Sequence, residues 1–261
     1  MCFSLSAQKI IDLSGKWSFS IDRQDNGEKE KWFSHTLNDF INLPGSMPEK
    51  LKGDEVTAKT QWTGSLYDSS YYYNPYMEKY RKEGNIKFPF FLTPDKHYVG
   101  AAWYQKEVNI PADWKGERIL LFLERPHIET TVWVNGQKTG MQNSLCVPHQ
   151  YDITRYVRPG KCTITIRVDN RIKEINVGPD SHSITDQTQG NWNGIVGRIC
   201  LQTTPKTYFD DIQIYPEPEQ KLARVKVVIK GTGTAKVKLS AESFNTDKKA
   251  YSSRHTTRNQ T

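Results

Sequence analysis

No apolar run in the 261 residues approaches the ~20 needed to cross a bilayer, which excludes a transmembrane helix. Cysteine is scarce. Cys2, Cys146, Cys162 and Cys200 show no C-x-x-C spacing, so neither a zinc ribbon nor a thioredoxin-like site is written here. A disulfide among Cys146, Cys162 and Cys200 stays open for an oxidising compartment. The chain also lacks G-x-S-x-G, H-E-x-x-H and a P-loop, and its histidines form no i, i+4 pair. No metal site and no cofactor is expected. Helical periodicity is missing as well, and with it the alternating helix–strand pattern of a parallel α/β fold.

The net charge of +7 is not spread evenly. Residues 221–261 hold ten Lys/Arg against Glu242 and Asp247, leaving 26 basic and 27 acidic residues in 1–220. The body of the protein is therefore balanced. The basic segment contains no helix-turn-helix, zinc-finger or RNP signature, so no nucleic-acid partner is expected.

Strand signals recur. Trp17-Ser18-Phe19-Ser20-Ile21 alternates with period two, and Ile119 to Leu123 is a continuous apolar run suited to a strand covered on both faces. Thr130 to Val134 is β-branched and aromatic and runs into Asn135-Gly136, a pair fitted to a type I′ hairpin turn with positive φ at both central residues. Ile164, Ile166 and Val168 alternate with Thr163, Thr165 and Arg167, and Arg198 to Leu201 adds a further strand. Asp152 to Gly160 reads as a turn or short 3₁₀ piece. Many short strands separated by turn residues predict an all-β sandwich or jelly roll.

Residues 53–103 stand apart, with twelve aromatics in 51 positions and no strand alternation to organise them. Long loops of this kind tend to be functional or disordered. Either the aromatics pack down on the sandwich, or they form a rim offering flat faces to a sugar ring. After Pro205 a second unit begins. Tyr208 to Tyr215, Ala223 to Ile229 and Ala235 to Leu239 read as three strands, with Gly231-Thr232-Gly233 as one turn, before a polar tail from Lys248 to Thr261. An immunoglobulin-like sandwich needs about seven strands, so this domain reads as incomplete. At the other end, Met1 to Ala7 is similar to the tail of a signal peptide. Residues 1–8 are expected to be that remnant or a disordered N-terminus, and the first reading implies a secreted or periplasmic protein.

Several of these stretches together resemble the N-terminal sugar-binding domain of family 2 glycoside hydrolases, the family of β-galactosidases, β-glucuronidases and β-mannosidases. They are Trp103-Tyr104-Gln105-Lys106, Ile119 to Leu123, Val132-Trp133-Val134-Asn135-Gly136, Tyr151-Asp152-Ile153-Thr154 and Trp192-Asn193-Gly194-Ile195-Val196-Gly197-Arg198-Ile199. The resemblance implies a galactose-binding-like jelly roll over residues 9–205. Residues 206–261 would then hold the start of an immunoglobulin-like β-sandwich and the polar tail. It also implies retaining hydrolysis by two carboxyl groups about 5–5.5 Å apart, carried on a (β/α)₈ barrel that would have to be supplied beyond this chain. Hydrolysis by the chain alone is not expected, and Asp210-Asp211, adjacent in an apparent strand entry, point to opposite faces.

Within the family this domain helps to shape the sugar pocket, and the β-galactosidases are the members that the chain is expected to be most like. The segment Gly84 to Pro89 is similar to one whose Asn reaches the sugar, which makes Asn85 a candidate for hydroxyl recognition, since an amide both donates and accepts. Asp186, Gln187, Trp192 and Asn193 fall where relatives approach the pocket. The chain departs from the β-galactosidase pattern at Gly190, where those enzymes carry an Asp. The expected partners are a β-linked carbohydrate and the catalytic barrel. The alternatives are a free-standing carbohydrate-binding module, or a sandwich retained as a protein-interaction scaffold.

Overall fold

The computed structural model describes residues 9–64, 69–90, 92–173, 181–182, 184–231 and 237–239. The chain divides into two units, residues 1–204 and 205–261. In the first, the strands in chain order are β1 (Ile10–Asp12), β2 (Gly15–Asp22), β3 (Asp39–Leu43), β4 (Gly45–Ser46), β5 (Asp54–Glu55), β6 (Lys96–His97) and β7 (Ala101–Ile110). They continue as β8 (Arg118–His127), β9 (Glu129–Val134), β10 (Gln137–Asn143), β11 (His149–Asp152), β12 (Gly160–Asp169) and β13 (Gly194–Thr204).

Two antiparallel sheets form an all-β sandwich. One runs β1-β13-β8-β11, with β4 also paired to β13; the other runs β10-β9-β12-β7-β2-β3. Period-two alternation sends Trp17 and Phe19 of β2, Tyr104 of β7, Val132 and Val134 of β9, and Ile164, Ile166 and Val168 of β12 into one core. They meet Leu121 and Leu123 of β8 and Ile195, Ile199 and Leu201 of β13 from the opposite sheet. The β9–β10 turn is the expected one, with Asn135 at φ 49° and Gly136 at φ 77°. Asn135 also ties in the next turn, accepting from the Thr163 amide at 2.9 Å and donating to the Tyr156 carbonyl at 3.1 Å. The expected 3₁₀ piece spans Thr154–Tyr156. Cys146, Cys162 and Cys200 are free thiols, so the open question of a disulfide among them closes.

The six-stranded sheet is covered on its outer face too. Trp103 and Trp133 lie 4.9 Å apart, and residues 22–38 fold over them, stacking Phe33 on Trp133 at 5.2 Å. Asp22 anchors this flap, its carboxylate accepting from Trp103 Nε1, the Gly27 amide and the Asn26 amide, each at 2.9 Å. Beside it, the fully buried Asp169 carboxylate bonds Arg167 at 3.0 Å, Arg171 at 2.6 Å and Lys173 at 2.8 Å, while Asp25 and Glu129 complete the network. Burial alone would raise the Asp169 carboxyl. The Arg171 and Lys173 bonds and the Arg167 charge reverse that, and hold it well below the usual carboxylate range.

The second unit contains β14 (Tyr208–Glu217) and β15 (Leu222–Lys230), an antiparallel hairpin closed by a 3₁₀ turn at Pro218–Gln220. Cross-strand pairs Phe209–Ile229, Ile212–Val227 and Ile214–Val225 give it an apolar character, and Phe209, Ile212 and Ile214 are more than half exposed. Asp210 and Asp211 are engaged separately, Asp210 with Lys230 and Asp211 with Gln213. The third strand expected at Ala235 to Leu239 lies partly outside the described residues, and residues 237–239 are not in a strand. Residues 1–8, Thr232, Gly233 and the tail from Lys248 also lie outside them.

A Cβ at Gly27 would come within 2.5 Å of Trp103 Nε1 and 2.7 Å of Asp22 Oδ2. Gly27→Ala is therefore expected to cost about 1–3 kcal/mol in urea unfolding, as overpacking does. Gly140→Ala, whose Cβ would meet nothing closer than 3.5 Å, should change stability by less than about 0.5 kcal/mol. Equal effects would refute the Asp22–Gly27–Trp103 lock.

Candidate carbohydrate site

At one end of the sandwich the chain crosses from the strand β12 through residues 181–193 into β13, and four buried polar side chains organise the crossing. Asn170 accepts from the Gly100 amide at 2.8 Å and donates to the Tyr98 carbonyl at 2.9 Å and to Asn191 Oδ1 at 3.1 Å. Asn191 Nδ2 donates to the Asn170 carbonyl and to Thr63 Oγ1, both at 3.0 Å. Asn193 donates to the Gly100 and Val168 carbonyls at 2.9 Å and accepts from the Tyr104 hydroxyl at 2.7 Å. Asp186 accepts from the Asn191 amide at 2.7 Å and the Thr63 amide at 2.6 Å, and His97 Nε2 lies 3.3 Å from it. Burial forces this arrangement, because a buried polar group without a partner costs the full desolvation penalty.

The two glycines that follow Asn193 have steric reasons. Gly194, at φ +144°, passes so close to β4 that a Cβ would sit 2.5 Å from the Gly45 carbonyl. Gly197, at φ +79°, leaves room for Glu124, whose carboxylate accepts from the Arg198 amide at 2.8 Å. The Trp-Asn-Gly-Ile-Val-Gly-Arg-Ile stretch is thus a device for seating a bulged strand beside a close crossing.

Among the sequence candidates, Asp186, Gln187, Trp192 and Asn193 share this segment. Asn193 and Asp186 have their polar atoms engaged as above. Gln187 is buried, yet among the described residues neither its Nε2 nor its Oε1 has a hydrogen-bond partner. Trp192 is half-buried and stacks on the His127 ring at 4.6 Å; His127 Nε2 is also without a partner. Burial pushes His127 down to about 4, against the opposing influences of Asn191 and the Asp186 charge. Asn85 belongs elsewhere. It is exposed and bonded within its own turn, donating to the Lys79 carbonyl at 2.7 Å and, from its amide, to the Lys82 carbonyl at 3.0 Å.

The aromatic segment divides between the two expected behaviours. Trp62 packs on Phe88, Phe90 and His97 with centroids 4.6–5.0 Å apart, and Tyr71 joins Phe88 at 4.7 Å. Tyr72, Tyr73 and Tyr76 remain exposed around the short helix α1 (Ser70–Tyr73) and the 3₁₀ turn at Pro75–Tyr80. Trp62 Nε1 is buried without a partner. Tyr67 and Phe91 lie outside the described residues. Sequence reasoning did not single out His97, His127, Asn170 or Asn191. The one sequence signal for Asn191 is its place in the Asn-Trp-Asn run at 191–193. No group of three His, Cys, Asp or Glu side chains fit to hold a metal occurs among the described residues.

Residues 10–205 match the family model for the sugar binding domain of glycosyl hydrolases family 2. The chain belongs to glycoside hydrolase family 2. Similar proteins include β-glucuronidase from Homo sapiens, 24% identical over 89% of this chain and 35% of its own length. β-Glucuronidase from Paenibacillus borealis is 25% identical over 79% of this chain and 31% of its own. Among solved structures, β-glucuronidase from an uncultured Clostridium sp. aligns with a TM-score of 0.56 at 20% identity, over 88% of this chain and 35% of that one. β-Glucuronidase from Ruminococcus gnavus in complex with D-glucaro 1,5-lactone aligns with 0.54 at 18%, over 86% and 34%. The chain thus spans about a third of the length of these family members.

Two consequences are measurable. Asn193→Ala removes the acceptor of the buried Tyr104 hydroxyl and a donor to each of the Gly100 and Val168 carbonyls, and is expected to cost about 1–3 kcal/mol, whereas Gln187→Met removes an amide without partners among the described residues and should be neutral or stabilising. A destabilised Gln187→Met protein would show that the amide is already satisfied. Because His127 is held neutral, the unfolded chain binds more protons than the folded one below about pH 6.5. Stability should therefore fall as pH drops from about 6.5 towards 4, and His127→Gln should flatten that limb in urea titrations across the range.

Proposed function

We propose that this chain is the N-terminal, non-catalytic region of a β-glucuronidase-like retaining glycosidase, and that its 186–193 segment helps to form the sugar pocket. The observation that carries this reading is the unspent hydrogen-bonding capacity of that segment. Among the described residues the Gln187 amide lacks partners, and so does Nε2 of His127, whose ring stacks on the half-buried Trp192. A sugar hydroxyl both donates and accepts, so it can satisfy an amide or an imidazole. In this role Gln187 and Trp192 approach the sugar, Asp186 and Asn193 hold the backbone that presents them, and Asn85 serves from its separate turn. The expected likeness to β-galactosidases gives way to β-glucuronidase, the name carried by the relatives above.

Catalysis needs two carboxyl groups about 5–5.5 Å apart on a rigid frame, and the reading assigns them to a (β/α)₈ barrel outside the described residues. The hairpin of the second unit would then begin the immunoglobulin-like domain that leads to it. A secreted or periplasmic location is part of the same proposal, and N-terminal sequencing of the exported protein tests it. A second reading, a carbohydrate-binding module acting alone, draws on the exposed Tyr72, Tyr73 and Tyr76.

The deciding experiment incubates the purified chain with chromogenic β-D-glucuronide and β-D-galactoside, and titrates it calorimetrically with glucuronic acid and galactose. The expected outcome is no turnover, with weak binding of glucuronic acid that Gln187→Ala reduces. Turnover above background would overturn the non-catalytic assignment, and a preference for galactose would overturn the glucuronidase-like one.

A further inference from the structure

An open cleft of about 460 Å³ lies against the β5–β6 ribbon, within the size range of small-ligand sites. Its lining comes from Arg23, from six of the residues between 54 and 61, and from residues 97–99, far apart in the chain and held by the fold. Most of its polar groups are already committed. Arg23 pairs with Asp54 at 2.5 Å and Lys96 with Glu55. His97 faces Asp186, and the Tyr98 hydroxyl donates to the Ala101 carbonyl at 2.9 Å.

What remains is specific. The Lys59 ammonium has no ion pair among the described residues, so it is the uncompensated charge of the cleft. Thr57 Oγ1 accepts from the Lys59 amide at 3.2 Å and Thr60 Oγ1 from the Thr57 amide at 2.9 Å, so both hydroxyl protons are available to a ligand. Gln61 Nε2 donates to the Lys59 carbonyl at 3.2 Å, which leaves its Oε1 as an acceptor. The 57–61 turn is pre-organised by these bonds, and its open groups are one cation, two hydroxyl donors and one amide acceptor. The His97 ring that lines the cleft is itself backed by Trp62, 4.6 Å away.

We infer that this cleft is a second saccharide site, adjoining the 186–193 segment through His97, which takes a sugar bearing a carboxylate. The carboxylate pairs with Lys59, and the ring hydroxyls bond Thr57, Thr60 and Gln61. A neutral sugar leaves the ammonium unpaired and a simple carboxylate leaves the hydroxyls and amide unused, so discrimination comes from both halves together. This inference deepens the glycosidase reading and rests on it for the class of ligand.

Amide chemical shifts of the ¹⁵N-labelled full chain, titrated separately with glucuronic acid, glucose and acetate, test it. Glucuronic acid is expected to move the amides of residues 57–61 and 99 with millimolar affinity, at least fivefold more tightly than glucose or acetate. Lys59→Ala should remove that preference and Lys59→Arg should keep it; both changes are at an exposed position, so the remaining spectrum reports an intact fold. Equal response to acetate would reduce the cleft to a lone cation and overturn the proposal, as would equal response to glucose. Shifts confined to residues 186–192 would overturn it while leaving the function proposed above standing, and shifts at 57–61 without any at 186–192 would do the reverse.

Discussion

The Asn170–Asn193 end of the sandwich depends on one requirement, that the backbone groups taken out of water where the strands stop be given partners. Strand β7 begins just after Gly100 and β12 ends just before Asn170, and there the carbonyls of Tyr98, Gly100, Val168 and Asn170 accept from side-chain amides. The amides of Asn170, Asn191 and Asn193 supply the donors, and Asp186 supplies the acceptor for two backbone N–H groups on loops that never pair as strands. Packing of the apolar core brings the strands together. The amide lattice decides where the connecting segments go, and so where Gln187 and Trp192 are presented.

This separates recognition of the family from recognition of the site. The Trp-Asn-Gly-Ile-Val-Gly-Arg-Ile stretch is the chain's most telling signature, and nearly every polar or glycine position in it serves structure. Asn193 fastens the strand, Gly194 admits β4, and Gly197 makes room for Glu124. The residues with unspent chemistry lie just outside it, at Gln187 and His127. A signature of this kind identifies a scaffold, and the sugar it serves is set by side chains that the scaffold leaves unoccupied.

The strands legible in the sequence include β8 as an apolar run, β9 with its Asn-Gly turn, β12 and β2 by alternation, and much of β13, β14 and β15. Periodicity did not reveal β7, because Gln105 and Lys106 interrupt its apolar face and become tolerable only in the fold. Gln105 donates to Thr165 Oγ1 and the His35 carbonyl, and Lys106 to the Ser14 and Lys16 carbonyls. Strands β4, β5 and β6, two residues each, are too short to carry a period at all. The site was legible in part for a similar reason. Its 186–193 half is contiguous, whereas His97, His127 and Asn170 arrive from other strands and share nothing in sequence with the groups they touch.

The flap over the outer face has an optical consequence. Trp103 and Trp133, 4.9 Å apart at an interplanar angle of 31°, are close enough for their indole transitions to couple, and Phe33 and Trp32 shield them from solvent. The pair is held by Asp22, a residue at the start of the flap itself. Circular dichroism in the indole absorption bands therefore carries a contribution from this outer layer, where Trp32 and Phe33 of residues 22–38 set the surroundings of the pair.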